Sequence, residues 1–438
     1  MSNSFKRFLV LCLGEFVAAI GHGISSFGLS IYVFEQTGLA SSTSLIELLA
    51  FLPALLLSPM AGVLADKYDR RILMILGDGL SALGIAFILI FMVKDGNAAF
   101  WQICVGVTIS SIFTSLVDPA FKATVTDLLS KEEYTKASGF VQLSSASKYL
   151  LSPAICAALF AFADIRLFLL IDICTVFVTV ATTMFVRKGI VAKPDENRQS
   201  LFEGLKTGFS ILIKNKGVII LTVMGSLITF FVAAIQTLST PMVLAFADKQ
   251  ILGVAVTICA CGMLISGLIL GAVPLKKNIV RTLFTALIFT GIFMVLFGLR
   301  ENAILVGVAG FLFFAMLPFA NTSIDYLIRI NVENEYQGRI WGFISIISQF
   351  GYVVAYAIMG PLADFVFVPL LVQGGPLAGS VGRVIGVSNG RGIGLMIIIA
   401  GILLIVTSVC VYQIKSVRKL GEGGALHTSD STTADSTA

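Results

Sequence analysis

Long apolar runs are the feature that most constrains this sequence, because they recur along almost its whole length. Each run extends over about 18 residues or more, enough for a helix to cross a hydrocarbon layer of about 30 Å. Hydrophobic residues make up 57% of the 438-residue chain and charged residues 13%, whereas soluble domains are about 45–50% apolar. Since lipid offers the backbone no hydrogen-bond partner and the runs are continuous rather than alternating, we predict an all-α integral membrane protein.

The runs predict twelve transmembrane helices in two pseudo-symmetric six-helix halves. The longest polar connection divides them six plus six, which predicts an N-terminal half at 1–190, a cytoplasmic linker at 191–216, a C-terminal half at 217–415 and a disordered tail at 416–438. A weak repeat, Glu133-Tyr134 and Gly139-Phe140 against Glu335-Tyr336 and Gly342-Phe343, supports related halves, a recurring transporter plan. The predicted spans are 8–33, 44–65, 72–93, 99–120, 138–162, 167–186, 217–246, 251–273, 281–299, 303–327, 340–363 and 393–413.

The distribution of basic residues predicts the orientation in the membrane. About 22 Lys and Arg residues fall in the loops that share a side with both termini, against about 6 on the other side. We therefore expect a multi-pass protein of the inner (cytoplasmic) cell membrane with both termini cytoplasmic. The net charge of +5 is then explained by contact with the lipid bilayer and not with nucleic acid. We expect a monomer.

No residue pattern points to a cofactor, a metal or an enzyme. The seven cysteines all fall in apolar runs without a C-x-x-C pair, which favours packed free thiols. No spacing indicates a nucleophile with its base or a set of metal ligands. The glycine-rich segment 364–391, predicted as an extracytoplasmic loop, lacks the G-x-x-x-x-G-K-[ST] pattern of nucleotide-binding loops.

A charged hinge between the second and third spans carries a recognisable motif. Its residues, Gly62-x-x-x-Asp66-Lys67-x-Asp69-Arg70-Arg71, resemble the loop signature G-x-x-x-D-[RK]-x-G-R-[RK] of the major facilitator superfamily. Asp69 in place of Gly is similar to the D-R-x-D-R-R variant of the drug:proton antiporter branch, which contains macrolide-efflux and siderophore exporters. The segment 119–138 resembles that branch's P-A-x-x-A…L…A-N pattern, with Ser138 for Asn.

The sequence departs from the family pattern at two places. The second-half copy of the hinge, Gly271 to Lys277, lacks the Asp, and the antiporter motif G-P-x-x-G-G of span 5 is reduced to Ser152-Pro153-Ala-Ile-Cys156-Ala157. The resemblance implies the major facilitator fold and secondary transport. The lost glycines leave the direction of transport open.

We interpret the hinge as a gate latch between the two halves. Gly62 is expected to let a neighbouring helix approach closely, and Asp66 to pair with a basic group or cap a helix. Arg70 and Arg71 offer bidentate donors, and Asp78 on span 3 is placed to pair back to Arg71. The alternative is that the basic residues serve only as topological anchors.

Ionisable residues inside the spans are the candidates for proton coupling, because charge is costly in lipid. The candidates are Glu15, His22, Glu47 and Asp172. Glu15 and His22 lie seven residues apart on one stripe of span 1. The alternative is that Glu15 is solvated at the cytoplasmic end and that His22 binds a backbone carbonyl.

Four further residues are candidates for the substrate path. Lys148 on span 5 needs an acid or a water-filled cavity, unless it extends towards the membrane surface. Phe27, Phe231 and Gln236 suit an amphipathic substrate. We therefore predict a secondary active transporter that exports amphipathic drugs or natural products (macrolide-, peptide- or siderophore-like) by proton antiport with alternating access. The alternative is an uptake or uniport carrier of the same fold.

Overall fold

The computed structural model describes residues 3–129, 133–187, 216–272, 278–332 and 334–420, which are nearly all helical and include no strand. The helices of the first part are α1 Asn3–Thr37, α2 Ala40–Lys67, α3 Arg70–Lys94, α4 Phe100–Thr114, α5 Val117–Leu128, α6 Tyr134–Leu159 and α7 Ile165–Arg187. Those that follow are α8 Lys216–Leu244, α9 Lys249–Ala272, α10 Ile279–Leu299, α11 Ala303–Asn331, α12 Asn334–Leu362, a π-helical turn Ala363–Phe367, α13 Val368–Leu371, α14 Val381–Ile385, α15 Asn389–Tyr412 and α16 Lys415–Lys419.

These helices confirm the predicted all-α membrane class. Eleven helical stretches among the described residues are long and apolar enough to cross a membrane. The more polar α6, at the fifth predicted span, is a continuous helix of 26 residues. Multiple apolar helices of this length are typical of a multi-pass membrane protein.

Two predicted boundaries are wrong. The fourth span does not end at residue 120 but continues as α4 and α5 to Leu128, with a turn at 115–116. The segment predicted as a loop at 364–391 contains the π-helical turn, α13 and α14. The predicted linker 191–216 lies outside the described residues except for Lys216, and so does the predicted tail beyond Leu420.

The chain forms two compact units. The first comprises Met1–Arg198, Thr237–Thr257 and Tyr356–Val366, and the second comprises Gln199–Gln236, Ile258–Ala355 and Phe367–Ala438. The predicted halves differ from these units in the assignment of the segments 237–257 and 356–366. The division into halves with a linker therefore stays a prediction.

In the first unit, α1 packs closely against α7 and α6. At Gly21 a Cβ atom would overlap the Thr175 side chain, and at Gly23 it would overlap Ser152. The missing side chains let the helix backbones approach, as in other closely packed membrane helices. This packing places α1 between two helices that each carry polar side chains.

Two apolar clusters lie along α1, and the interval between them contains Glu15 and His22. One contains Phe5, Phe8 and Leu11, and the other contains Ile24 and Leu29. The two clusters also include residues of α3 and α7. Glu15 and His22 of α1 therefore fall between two well-packed apolar regions.

In the second unit, α10 packs against α15 and α11. The buried Arg391, at the start of α15, donates a hydrogen bond from its guanidinium to the backbone oxygen of Gly298 near the end of α10. Such a bond satisfies one of the carbonyl groups that a helix leaves unpaired at its C-terminus. A small cluster of Leu371, Ile385 and Leu395 packs around the same end of the unit.

The close contact at Gly21 gives a first prediction. Gly21→Ala should lower the apparent melting temperature of the purified protein, because the added methyl group must displace Thr175, at a cost of about 1–3 kcal/mol. Gly79→Ala is the control, since a Cβ atom there meets no atom of the described residues within 4 Å. Thermal unfolding in detergent measures both variants, and an equal melting temperature for the two would contradict this account of the packing.

Candidate functional site

The charged hinge forms the connection between α2 and α3. The α2 helix ends at Lys67, and Tyr68 N–H donates to Leu64 O. Asp69 caps α3 because its Oδ1 accepts from the backbone N–H of Arg71 at 3.0 Å. A carboxylate at this position satisfies an N–H group that the helix leaves unpaired and also interacts favourably with the helix dipole.

The two arginines of the hinge bind a carboxylate that the sequence analysis did not single out. Asp127 on α5 lies 2.5 Å from Arg70 Nη1 and 3.4 Å from Arg71 Nη2. Arg70 also donates to the backbone oxygens of Ala65 and Ala123 at 3.1 and 3.2 Å. The arginines therefore tie the ends of α2 and α3 to α5 within the first unit.

The expected pairing of Asp78 with Arg71 is wrong in this structure, and the expected close approach at Gly62 is not formed among the described residues. Arg71, with 1% of its side chain exposed, pairs with Asp127 and not with Asp78. Its guanidinium also lies 3.8 Å from the carboxylate of Asp69. Asp127 is closer to the arginine because α5 runs beside the start of α3, whereas Asp78 faces the interior of the unit. A Cβ atom at Gly62 would meet no described residue within 4 Å, so no described helix approaches it closely in this structure.

The aspartate that replaces the family's usual glycine has a structural role. Asp69 Oδ2 lies 3.1 Å from Arg187 Nε at the end of α7. Asp69 thus caps α3 with one oxygen and holds α7 with the other. Asp66 lies 3.8 Å from Arg70 Nη2, one turn further along the chain.

A second group of polar residues lies deeper in the first unit and brings two proton-coupling candidates together. His22 Nδ1 on α1 lies 3.8 Å from Asp172 Oδ2 on α7. Ser25, one turn beyond His22, donates its hydroxyl to the same carboxylate oxygen. Asp172 is buried, with 4% of its surface exposed. The carboxyl group of Asp172 is therefore held between two side chains of α1.

Two more acids extend this group towards the hinge. Asp78 on α3 is buried and has Asp172 as a like-charged neighbour. Glu15 on α1 has Asp78 and Asp118 as its acidic neighbours. Oδ2 of Asp78 and Oε1 of Glu15 are buried without a hydrogen-bond partner among the described residues. We call Glu15, His22, Asp78 and Asp172 the acid cluster.

The acid cluster brings several carboxyl groups into one largely buried region of the first unit. Like-charged carboxylates that share an apolar site are costly to ionise together. The spacing of Asp78 from Arg71 favours a place in the latch and does not reveal that Asp78 faces α1 and α7.

The remaining charged candidates lie apart from the acid cluster. Glu47 on α2 accepts a hydrogen bond from the hydroxyl of Thr237. The half-buried Lys148 has its ammonium 5.9 Å from the ring centre of Tyr149, and no described acid lies within 4.0 Å of it. The expected pairing of Lys148 with an acid is therefore not formed among the described residues.

The aromatic and amide candidates for the substrate path lie in different units. Phe27 on α1 is half-buried and packs against an apolar cluster of the first unit. Phe231 is buried, with its ring centre 5.3 Å from that of Phe230, and belongs with Gln236 to the second unit. Their role in a substrate path stays a prediction.

A family model that matches most of the chain decides the family. The model of the Major Facilitator Superfamily matches residues 11–356. The chain belongs to the Major Facilitator Superfamily. The predicted resemblance and fold class are thereby confirmed, and the chain is a multi-pass membrane transporter of this superfamily.

Relatives within the superfamily include named transporters. Macrolide efflux protein A of Streptococcus pyogenes is 26% identical over 377 residues, covering 83% of this chain and 91% of the relative. The staphyloferrin A transporter of Staphylococcus aureus is 22% identical over 331 residues, covering 75% of this chain and 83% of the relative. These relatives match the efflux branch indicated by the hinge motif.

A solved structure shows the same fold. A bacterial homologue of the human lysosomal transporter Spinster, in an inward-facing and unoccupied conformation, superposes with a TM-score of 0.72 at 12% identity. The match covers 95% of this chain and 98% of that one. The major facilitator fold therefore extends over nearly the whole of this chain.

The ion pairs of the hinge give the second prediction. Asp127→Asn should lower the thermal stability, because it removes the closest carboxylate of Arg71, a buried arginine. Breaking a fully buried pair costs about 3–5 kcal/mol. We expect the free energy of unfolding to fall by about 1–3 kcal/mol here, because Asp127 is one-third exposed and Asp69 remains as a partner of Arg71.

The matched control is Asp118→Asn on the same helix, whose carboxylate is 69% exposed and pairs with Lys122 at 2.7 Å. Exposed pairs of this kind contribute little. Urea or thermal unfolding in detergent measures both variants. A loss of stability that is equal in the two variants would contradict the anchoring role of Asp127.

Proposed function

We propose that this superfamily member exports amphipathic compounds (macrolide-, peptide- or siderophore-like) in exchange for protons, by alternating access. The observation that carries the proposal is the acid cluster, in which Asp78 and Asp172 are both buried within a membrane-spanning unit and Asp172 contacts His22 and Ser25. Buried acids are costly in a membrane protein and are retained where they move protons or bind ions. The relationship to macrolide efflux protein A supports the substrate class.

The exchange follows from a change in the surroundings of the carboxyl groups. A carboxyl group that faces water in one conformation and apolar protein in the other binds its proton with different affinity in each. In our proposal the cluster takes up a proton from the outer side and releases it to the cytoplasm. Substrate binds to the deprotonated state, so each inward proton is linked to outward substrate movement.

Within the cluster the residues have separate roles. Asp172 carries the proton, and His22 and Ser25 orient its carboxyl group through the contacts with Oδ2. Asp78 and Glu15 continue the route towards the hinge end of the helices. Glu47 lies outside this route, since its carboxylate is engaged by Thr237.

The orientation belongs to the same proposal. The excess of Lys and Arg in the loops that share a side with the hinge favours a cytoplasmic hinge and cytoplasmic termini in the inner cell membrane. Protons driven into the cell then leave the acid cluster towards the hinge. We propose a monomeric carrier in the lipid bilayer.

The hinge acts as the cytoplasmic latch in this scheme. The open space at Gly62 admits a helix of the second half when the protein closes on the cytoplasmic side. Asp66 then pairs with or caps that helix, while Arg70 and Arg71 keep the hinge rigid through Asp127. A rigid hinge lets the first six helices move as one body.

The second candidate is uptake or uniport by the same fold, and the altered motif of span 5 favours it. Ser152 and Cys156 replace glycines of the antiporter motif, and they donate to the backbone oxygens of Ile20 and Ile24 at 3.0 and 3.5 Å. However, the close approach of α1 and α6 is retained through Gly23. We therefore keep antiport as the proposal and test its direction.

The third prediction concerns proton coupling. In everted vesicles with an acidified interior, a transported macrolide should make the interior more alkaline. Asp172→Asn and Asp78→Asn should each reduce this response by about tenfold or more, because an amide cannot take up and release the proton. Substrate binding should persist, since an amide keeps the shape of the acid. Glu15→Gln should reduce the response less.

The control is Asp164→Asn, which changes an exposed acid near the start of α7 and should leave the response unchanged. Acidification of the vesicle interior would favour uptake with protons instead of antiport. An undiminished response in both Asp172→Asn and Asp78→Asn would overturn the assignment of the acid cluster.

A further inference from the structure

The start of α2 is capped from a distant part of the chain. Leu39 occupies the N-cap position and offers no side-chain hydrogen bond. Asp364 supplies the cap instead, because its Oδ1 accepts from Ala40 N–H at 3.0 Å and its Oδ2 from Ser41 N–H at 2.7 Å. A carboxylate that accepts two backbone N–H groups at a helix N-terminus makes a strong, charge-assisted contact.

The backbone around Asp364 is irregular, and this irregularity positions the Asp364 carboxylate at the start of α2. Pro361 has no N–H group to donate within α12, and the chain then winds into the π-helical turn Ala363–Phe367. Such turns are rare and occur often at functional positions. One turn before Asp364, Gly360 lets the helix approach α2 so closely that a Cβ atom there would lie 2.5 Å from Ser41 Cα.

Two further polar contacts join the same parts of the first unit. Glu47 on α2 accepts from the hydroxyl of the fully buried Thr237 on α8. Glu35 near the end of α1 pairs with Lys249 at the start of α9, with 2.9 Å between Oε2 and Nζ. The three contacts bring residues 35–47 together with the segments 237–257 and 356–366 of the same compact unit.

We propose that Asp364 is a conformational latch, which holds residues 356–366 against the start of α2 and is released during each transport cycle. The proposal rests on the alternating access proposed above, in which these segments belong to the second half. The contact suits reversible use, because water can replace the protein at both the freed carboxylate and the freed N–H groups. A purely static cap would need only a serine or aspartate at position 39.

The latch complements the hinge at the opposite end of α2. At Gly62 there is open space, whereas at the Asp364 end the backbones touch through Gly360. In the proposed cycle the Asp364 contacts form when the extracytoplasmic side is closed, and the hinge contacts form when the cytoplasmic side is closed. The contacts at one end stabilise one conformation and those at the other end stabilise the other, so the two conformations stay close in free energy.

The fourth prediction tests the latch through the accessibility of a buried position. Ser44, which is 1% exposed and lies against Gly360, is changed to Cys as a reporter in a chain whose seven native cysteines are replaced. The chain is placed in lipid nanodiscs, where both membrane faces meet a maleimide reagent. Asp364→Asn should raise the labelling rate of the reporter about tenfold or more, equivalent to about 1.4 kcal/mol of shifted equilibrium.

Two comparisons make the test specific. Gly360→Ala should also raise the rate, because the added methyl group forces α12 from α2, whereas Gly379→Ala meets nothing within 4 Å and should not. Asp95→Asn, which changes an exposed acid at the end of α3, should leave the rate unchanged. Size-exclusion chromatography confirms that each variant remains folded.

The labelling needs neither substrate nor a proton gradient, so its outcome is separate from that of the proposed function. Faster labelling in both Asp364→Asn and Gly360→Ala supports the latch even if no macrolide is exported. An unchanged rate in these two variants overturns it, even if transport is observed. Equal acceleration in the two control variants would also overturn it, because the effect would then be unspecific.

Discussion

A polar group inside a membrane must find its partners within the protein, because the surrounding lipid offers none. In this transporter the requirement is met by contacts between residues that are far apart in the sequence. Asp127 holds the arginines of the hinge, Ser25 holds Asp172, and Asp364 caps α2. The apolar surfaces of the helices pack around these contacts. The positions of the polar residues therefore determine which helices are held together and where the unit can open.

In the acid cluster, the buried polar groups find only some of the hydrogen-bond partners that they need. Asp78 and Glu15 each bury an oxygen that has no hydrogen-bond partner among the described residues. Elsewhere in the unit, Asp127 has two arginines as partners, Asp364 has two backbone N–H groups and Glu47 has the hydroxyl of Thr237. An incompletely paired acid costs stability in the resting protein. We attribute this cost to function, since a carboxyl group with saturated partners could not exchange its proton during transport.

The fold could be predicted from the sequence because it depends on long apolar runs and on one local motif. The run lengths predicted the membrane helices, and the hinge from Gly62 to Arg71 indicated the superfamily that the comparison then confirmed. Glu15, His22 and Asp172 were recognised as candidates because a charge within an apolar run is conspicuous. These features can be read from neighbouring residues alone.

The partners of these residues could not be predicted, because they depend on how the helices pack. Asp127 sits in a polar stretch of α5, where one more acid gives no signal, and Asp78 was assigned to Arg71 on spacing alone. Asp364 lies in a segment predicted as a loop, where the π-helical turn that directs its carboxylate cannot be recognised. In each case the geometry of a second helix decides the role of the residue.

The central claim, that substrate is exchanged for protons at the acid cluster, is tested most directly by measuring proton release on binding. Titration calorimetry of the purified protein with a macrolide that it binds, in two buffers of different ionisation enthalpy, gives the number of protons released. The account predicts release by the unmodified protein and a clearly smaller release by the double variant Asp78→Asn/Asp172→Asn. A binding heat that is the same in both buffers for the unmodified protein would contradict it.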